Sequence, residues 1–205
     1  MMLRQLRDRG ITDPRVLEAF AATPREKFVP PQLLELAYDD RPLSIGYGQT
    51  ISQPYVVALM LQELGVKPGE RVLDVGAGSG YQAALLSRLG GEVVAVERIA
   101  ELARQASSVL AELGRENVWV VVADGTTGYP PKAPYDRIIC GAGGPDVPKT
   151  WTEQLADNGR IVMPVGSSDV QTLVAVDKSG QNLRRRELCQ VRFVKLIGKE
   201  GWPAV

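Results

Sequence analysis

The sequence Arg71-Val72-Leu73-Asp74-Val75-Gly76-Ala77-Gly78-Ser79-Gly80-Tyr81 decides how this chain folds. A short apolar run reaches an acidic residue and then gives way to three alternating glycines, a pattern that predicts a strand followed by a tight turn. Apolar residues at helical spacing follow at positions 83, 84, 85 and 89. The stretch therefore predicts a strand, a turn and a helix, with a ligand lying against the main chain of the turn.

The spacing of the glycines indicates which ligand this turn binds. It reads G-x-G-x-G, and Tyr81 stands where the dinucleotide fingerprint G-x-G-x-x-G requires its last glycine. No Lys-Ser or Lys-Thr pair follows, so the turn does not match a phosphate-binding P-loop. Asp74 suits a ligand that carries an amino group or a positive sulfur, and S-adenosylmethionine has both. The alternative is that the glycines only form a tight turn between strand and helix.

The composition indicates a compact protein with one core. The chain has 205 residues, 44% of them hydrophobic, with 24 acidic and 24 basic side chains. This balance gives no overall field that would draw the chain to nucleic acid or to an anionic membrane. Met1-Met2-Leu3-Arg4 leads into charged residues, and no apolar run approaches the roughly 20 residues of a membrane span. We therefore expect a cytoplasmic protein, and a monomer.

The absence of histidine narrows the chemistry. It excludes a Ser-His or Cys-His nucleophile, a His-ligated metal and a histidine general base. Cys140 and Cys189 are too few for a disulfide framework or a zinc site, so we expect no metal. An enzyme with this composition should catalyse a reaction that needs no strong base.

The first 65 residues predict a small helical lobe. Thr12-Asp13-Pro14 is a helix start, and the helix should end before Pro24. Residues 25–31 are expected to run extended into a second helical piece around positions 33–37. We expect the charges of the lobe to form a solvated face, and Phe28 and Val29 to pack on the main core.

Residues 43–55 predict a loop with two glycines and several hydroxyl groups, just before a helix at 55–64. Such a loop can close on a bound ligand, with Ser52 supplying a hydroxyl. Ser52 can instead be the N-cap of the following helix, with Pro54 in its first turn. Spacing alone favours the N-cap.

From residue 71 onward, apolar runs alternate with helical patterns. Further strands are predicted at 92–97, 118–123, 135–140 and 160–165, with a helix at 100–113. The alternation predicts a doubly wound α/β fold with a mostly parallel, Rossmann-like sheet. Residues 171–178 and 188–196 flank the turn Ser179-Gly180-Gln181 and predict an antiparallel pair at the sheet edge. We interpret the chain as one domain, with the lobe and loop at 1–65, a cofactor-binding core at 66–166 and the C-terminal strands at 167–205.

Three predicted strands finish at acidic residues. Asp74 lies near the end of the first strand, Glu97 ends the second, and Asp124 follows the third. Ligands of open α/β sheets bind beyond the carboxyl ends of the strands, so these acids should line one crevice. Glu97 is suited to accept hydrogen bonds from a ribose diol, and Asp124 to accept one from the exocyclic amine of adenine.

These features together resemble one family, the protein-L-isoaspartate O-methyltransferases. The two most specific matches are Phe28-Val29-Pro30 and the loop Gly48-Gln49-Thr50-Ile51-Ser52-Gln53-Pro54-Tyr55. The other matching stretches are 24–27, 72–82, 96–98, 124–125, 134–139 and 159–166. The resemblance covers nearly the whole chain.

The resemblance implies a class I S-adenosylmethionine-dependent methyltransferase. It implies methyl transfer to the free α-carboxylate of L-isoaspartyl residues in damaged proteins and peptides, whose methyl ester collapses to a succinimide and so begins repair. It assigns Ser52 to the catalytic site and Thr50, Ile51 and Ser52 to substrate binding. The cofactor-binding residues that it implies are Asp74, Gly76, Ala77, Gly78, Ser79, Gly80, Gln82, Glu97, Arg98, Asp124 and Gly125.

The chain departs from the family pattern locally. Lys195 stands where the family often has proline, and Cys140-Gly141-Ala142-Gly143-Gly144 is richer in glycine than the usual segment. These departures bear on the rim of the substrate site. The reaction itself suits the composition, because a carboxylate with a pKa of about 4 is already a nucleophile at neutral pH and needs no base.

Two other functions remain open from the residues alone. One is a nicotinamide-dependent oxidoreductase, which Tyr81 and Asp74 disfavour. The other is a non-catalytic nucleotide-binding module, which no residue directly supports.

Overall fold

The protein is described from a computed structural model that covers residues 2–204. Within that range the helices are α1 (Met2–Asp8), α2 (Pro14–Ala21), α3 (Pro54–Leu64), α4 (Tyr81–Leu89), α5 (Ala100–Glu112) and α6 (Lys149–Gln154). The strands are β1 (Leu43–Gly46), β2 (Gln49–Ile51), β3 (Val72–Val75), β4 (Val93–Glu97), β5 (Val118–Val122), β6 (Tyr135–Cys140), β7 (Leu155–Gly166), β8 (Gln171–Ser179) and β9 (Asn182–Val191). None of the helices in this range is long and apolar enough to cross a membrane.

One seven-stranded sheet forms the centre of the molecule, in the order β5-β4-β3-β6-β7-β8-β9. The first five strands of this order run parallel, and β8 and β9 add an antiparallel edge. The predicted doubly wound α/β fold with an antiparallel C-terminal pair is therefore confirmed. The order reverses at β3, so the loops that leave β3, β4 and β6 meet at one end of the sheet.

The N-terminal lobe packs on the sheet through aromatic rings. Helix α2 begins where the sequence predicts it, since the Asp13 carboxylate accepts a hydrogen bond from the Arg15 amide at 2.8 Å. Phe20 and Phe28 both meet the Tyr81 ring edge-on, with centroids 6.0 and 5.3 Å away. The expected packing of Phe28 on the main core is confirmed, and the rings join the lobe to the start of α4.

One expectation for the lobe is wrong, and another has one exception. Residues 25–28 form a short 3₁₀ turn, Arg25–Phe28, instead of running extended. Arg25 is 0% exposed, although the charges of the lobe were expected to face solvent. The turn carries this side chain inward, where carbonyl groups from distant segments accept hydrogen bonds from its Nε and Nη2.

The predicted loop at 43–55 is partly a β-hairpin formed by β1 and β2. Its turn places Tyr47 at φ 54° and Gly48 at φ 69°, the positive angles of a type I′ hairpin turn. Leu43 and Ile45 face inward while Ser44 and Gly46 are exposed, so the strand shows the alternation of a half-buried strand.

The last strands differ from the prediction in their bounds. The hairpin turn pairs Ser179 with Asn182, so β9 begins directly after it and not at the predicted residue 188. Pairing stops where Val191 meets Gln171, the first residue of β8, so residues 192–196 lie outside β9, and Lys195 forms an isolated bridge with Gly143. Strand β7 begins at Leu155, ahead of the predicted residue 160, because its first residue already pairs with Tyr135 across an irregular register.

Candidate active site

A cleft lies beyond the carboxyl ends of β3, β4 and β6, and it consists of three adjoining parts. The strand-end hollow is lined by residues that include Val75, Gly76, Gly78, Glu97, Arg98 and Gly125. The loop hollow is lined by residues that include Thr50, Ile51, Ser52, Ala77, Ser79 and Gln82. The outer groove runs between the start of α3 and the end of β9, and Ser52 lies on its wall. Thr50 lines all three parts, so they adjoin one another at this residue.

The glycine turn brings bare main chain to the cleft. Gly76 and Gly78 have φ angles of 75° and 55°, which side chains rarely tolerate, and both line the two hollows. Gly80 has a different part in the structure, because a Cβ atom there would lie 3.0 Å from the Ala106 Cβ. Gly80 therefore allows α4 and α5 to pack closely, and it is not among the lining residues of either hollow.

Glu97 is held rigidly at the end of β4. Its Oε2 accepts a hydrogen bond from the Gly78 amide and its Oε1 accepts one from the Ile99 amide, each at 2.9 Å. The residue is 5% exposed and lines the strand-end hollow. A carboxylate has about four acceptor positions, so two remain for hydroxyl groups of a ligand.

Asp74 lies one layer behind the wall of the cleft. It is fully buried, and its Oδ1 accepts a hydrogen bond from the Gln82 side chain at 2.7 Å. Its Oδ2 is buried and has no hydrogen-bond partner among the described residues. Burial raises the pKa of the Asp74 carboxyl to about 7. Gln82 lines the loop hollow, so Asp74 reaches the cleft through this amide.

Asp124 is engaged by the C-terminal segment. Its Oδ1 accepts hydrogen bonds from the amide and hydroxyl of Thr126 at 2.9 and 2.7 Å, and its Oδ2 accepts one from the Lys199 amide at 2.8 Å. Its neighbour Gly125 is the residue that lines the strand-end hollow. A Cβ atom at Gly125 would lie 2.6 Å from the Val75 side chain, so only glycine fits the wall at this position without a shift.

The loop that carries Ser52 is fixed from outside α3. The helix starts at Pro54, so Gln53 occupies the N-cap position and the interpretation of Ser52 as the N-cap is wrong. The Asp40 carboxylate accepts a hydrogen bond from the Tyr55 amide at 3.0 Å and thereby caps the helix from the lobe. Ser52 is half-buried and lines both the loop hollow and the outer groove.

Several lining residues were not predicted from the sequence. The strand-end hollow is also lined by Gln49, Ile99, Gly141, Ala142 and 194–197, and the outer groove by Arg9, Pro42, Tyr55, Val170 and 189–193. Lys195 and the segment after β6 were noted only as departures from the family pattern, at the rim of the substrate site. They line the strand-end hollow and not the outer groove. The C-terminal residues come to the cleft through tertiary pairing, since the Gly143 amide donates to the Val194 carbonyl.

Comparison with known proteins gives a consistent result. A family model described as Protein-L-isoaspartate(D-aspartate) O-methyltransferase matches residues 1–201. The chain is 51% identical to protein-L-isoaspartate O-methyltransferase 1 of Rhodopseudomonas palustris strain HaA2, over 100% of this chain and 84% of that protein. It is 53% identical to the protein-L-isoaspartate O-methyltransferase of Methanoregula boonei, over 97% and 91% of the two chains.

A solved structure extends the comparison to three dimensions. It is a putative protein-L-isoaspartate O-methyltransferase of Plasmodium falciparum in complex with S-adenosyl-L-homocysteine. The two folds superpose with a TM-score of 0.84 at 26% identity, over 96% of each chain.

Proposed function

The chain belongs to the protein-L-isoaspartate O-methyltransferase family, and from this premise we propose how its cleft carries out the reaction. It is an S-adenosylmethionine-dependent enzyme that methylates L-isoaspartyl residues for protein repair. The two other hypotheses, an oxidoreductase and a non-catalytic module, are thereby set aside.

The two hollows have the chemistry that S-adenosylmethionine requires. The Asp74 Oδ2 is a buried acceptor without a partner, behind a Gln82 amide that faces the loop hollow. A cationic ligand in that hollow would favour the ionised carboxylate. Glu97 offers its two remaining acceptor positions to the ribose diol, and Gly76 and Gly78 admit the ligand to the main chain.

The remaining predicted residues divide between the two hollows. Ala77 and Ser79 form the wall beside the methionine part, and Arg98 and Gly125 form the wall beside the nucleoside. Gly80 shapes the turn from behind. The Oδ2 of Asp124 accepts one hydrogen bond, from the Lys199 amide. It keeps a second acceptor position, which can accept a hydrogen bond from the exocyclic amine of adenine. When bound, the cofactor supplies an electrophilic methyl group.

The acceptor is placed by the loop that ends β2. The α-carboxylate of an isoaspartyl residue is ionised at neutral pH, so the protein needs to position it and remove water, and no proton has to be taken up. Ser52 can donate its hydroxyl hydrogen to one carboxylate oxygen, while Thr50 and Ile51 line the loop hollow beside the acceptor. The absence of histidine agrees with a reaction of this kind.

One observation carries the assignment of Ser52. Ser52 lies on the wall of both the loop hollow and the outer groove, which is where donor and acceptor must meet. We assign the outer groove to the peptide chain of the substrate, because it is open to solvent and adjoins both hollows at Thr50.

The experiment that tests this role compares Ser52→Ala and Ser52→Thr with the wild type. Loss of the hydroxyl should lower kcat on an isoaspartyl peptide by about ten- to a thousandfold, because small misplacements are costly when catalysis is mainly positioning. The Thr variant should keep more activity, and the affinity for S-adenosylhomocysteine should change little in both. A wild-type kcat in the Ala variant would remove Ser52 from catalysis.

The finer features of the protein are part of the same proposal. Its partners are isoaspartyl-containing proteins and peptides, and it works as a cytoplasmic monomer. The balanced charge of 24 acidic and 24 basic residues supports a substrate choice that does not depend on bulk charge.

A further inference from the structure

In the part of the chain that the structure describes, Arg25 is buried and forms no salt bridge with an acidic residue. Within residues 2–204 its hydrogen bonds go to carbonyl groups, from Nε to the Ala37 oxygen and from Nη2 to the Ser52 oxygen, both at 2.8 Å. Its Cζ lies 4.8 Å from the centre of the Tyr81 ring, in cation–π geometry. One side chain therefore contacts the lobe, the loop of Ser52 and the residue that follows the glycine turn.

Burying a charged guanidinium costs folding free energy, which a side chain that only fills space would not require. A buried guanidinium needs compensation, and here it comes from two carbonyl dipoles and an aromatic face. Among residues 2–204, neither the buried Arg25 Nη1 nor the buried Tyr81 hydroxyl has a hydrogen-bond partner. Burial lowers the pKa of Arg25 from its usual range. Well-packed apolar side chains often replace buried charged groups without loss of stability, so stability alone does not account for an arginine at this position.

Arg25 contacts both the loop that places the methyl acceptor and the helix that follows the cofactor-binding turn. Ser52 is on the acceptor side, and Tyr81 begins α4 directly after the glycine turn on the donor side. The Asp40 carboxylate anchors the next residues of the same loop, since its Oδ2 accepts from the Gln53 amide group at 2.8 Å. The lobe thus holds the loop at the Ser52 carbonyl and at the next residue, directly after the Ser52 side chain.

We propose that Arg25 is a positioning residue that sets the distance between the Ser52 loop and the glycine turn. It does not touch the reacting atoms, and it acts through the Ser52 carbonyl on one side and the Tyr81 ring on the other. The proposal rests on the role assigned to Ser52 above. A displacement of about 1 Å at either loop is enough to lower a positioning-dependent rate a hundredfold.

The test measures kcat at saturating cofactor and isoaspartyl peptide for Arg25→Gln and Arg25→Lys. Arg25→Gln should lower kcat per folded molecule by about ten- to a hundredfold, because its amide cannot reach both carbonyls and has no charge for the ring. Arg25→Lys keeps the positive charge and one donating nitrogen, so its loss of kcat should be smaller. The dissociation constant of S-adenosylhomocysteine should stay within about threefold of the wild type, since no cofactor contact is removed.

Arg137→Gln is the matched control for loss of a buried arginine. Arg137 is 8% exposed, is paired with Glu70 at 2.8 Å, and lies at the opposite end of β6 from the cleft. This variant should be less stable while keeping its kcat per folded molecule. If the Arg25 variants lose no more kcat than Arg137→Gln, or lose only cofactor affinity, the proposal is overturned.

A double-mutant cycle separates positioning through Ser52 from any other effect. In a Ser52→Ala background, Arg25→Gln should lower kcat less than about threefold, because the group that it positions is already gone. If the loss of kcat in the double variant equals the product of the losses in the two single variants, the proposal is overturned. A wild-type kcat in Ser52→Ala alone would refute the role of Ser52, whereas a slow Ser52→Ala with a normal Arg25→Gln would refute only the positioning role. If Arg25→Gln does not fold, Arg25→Lys serves in the same cycle.

Discussion

Glu97 both supports the glycine turn and faces the ligand. Its oxygens hold the amides of Gly78 and Ile99, and the remaining acceptor positions are assigned to the ribose. Glu97→Ala should therefore weaken S-adenosylmethionine binding by about 1.5–3 kcal/mol, as expected for loss of a charge-assisted acceptor. Calorimetry on the folded variant measures this directly. An unchanged affinity would place the ribose elsewhere.

Asp74 should make the stability of the free protein depend on pH. Its pKa is about 7 in the folded protein and near 3.8 when unfolded, so the folded state binds the proton more tightly. The stability that this group contributes is therefore complete below pH 4 and is lost as the pH rises to 7. Above pH 7 a buried, ionised carboxylate remains as a cost until a cation binds.

Asp74→Asn tests this linkage. The asparagine side chain can still accept a hydrogen bond from Gln82, and it cannot ionise. The free energy of unfolding of the variant, relative to that of the wild type, should therefore rise by up to about 4 kcal/mol between pH 4 and 7. Its affinity for S-adenosylmethionine should fall at pH 8. Thermal unfolding of the ligand-free proteins at pH 4.5 and pH 8 measures the difference, and an equal gap at the two pH values would show that Asp74 does not titrate in this range.

Among the elements, the β1–β2 hairpin has the most direct effect on the cleft. It carries Thr50 and Ile51, and the Ile45 side chain lies against the glycine turn, 3.3 Å from where a Gly78 Cβ would be. Gly48 and Gly180 offer a matched pair, since both have positive φ at hairpin turns with open space around them. Valine at either position should cost about 1–2 kcal/mol of stability.

Only Gly48→Val should also change the reaction. We expect its kcat/KM on an isoaspartyl peptide to fall by roughly three- to thirtyfold, because a strained turn shifts Thr50, while Gly180→Val keeps wild-type activity. Both variants are assayed below their unfolding temperatures. Equal activities of the two would mean that the hairpin has no part in positioning.

The parts of the fold that could be predicted from the sequence are those set by local signals. The glycine turn, the acid at the end of β4 and the Asp13-Pro14 helix start each lie within a few residues of the structure that they specify. The β1–β2 hairpin also had a local signal, the alternation at 43–46, but the type I′ turn at Tyr47-Gly48 lacks the usual Asn-Gly pair.

The parts that could not be predicted depend on distant segments. The buried Arg25 finds its carbonyl partners 12 and 27 residues away, and Asp40 caps a helix that begins 14 residues later. The residues at 194–197 reach the cleft only after the sheet has placed β9. No periodicity or spacing in the sequence indicates these contacts, because they follow from tertiary packing.

At the scale of the whole molecule, the lobe and the sheet share one apolar core. Leu6, Val16 and Phe20 of the lobe belong to the same buried cluster as Leu61 of α3 and Leu85 of α4. We propose that the chain therefore folds as a single domain. This packing matters for function, because the lobe supplies the groups that hold the Ser52 loop against the glycine turn.

The central claim is that this cleft positions a free α-carboxylate for methyl transfer. In an isoaspartyl residue that carboxylate is attached to Cα, whereas in an aspartyl residue the free carboxylate lies one carbon farther out, about 1.5 Å away. A site that works by positioning should discriminate strongly between the two. It should depend little on flanking sequence, because the outer groove is open.

The most direct measurement is transfer of labelled methyl from S-adenosylmethionine to a matched pair of peptides, one isoaspartyl and one aspartyl at the same position. The account predicts label in the isoaspartyl peptide as a base-labile ester that decays to a succinimide, and background counts in its aspartyl partner. Equal rates of labelling on the two peptides would contradict it.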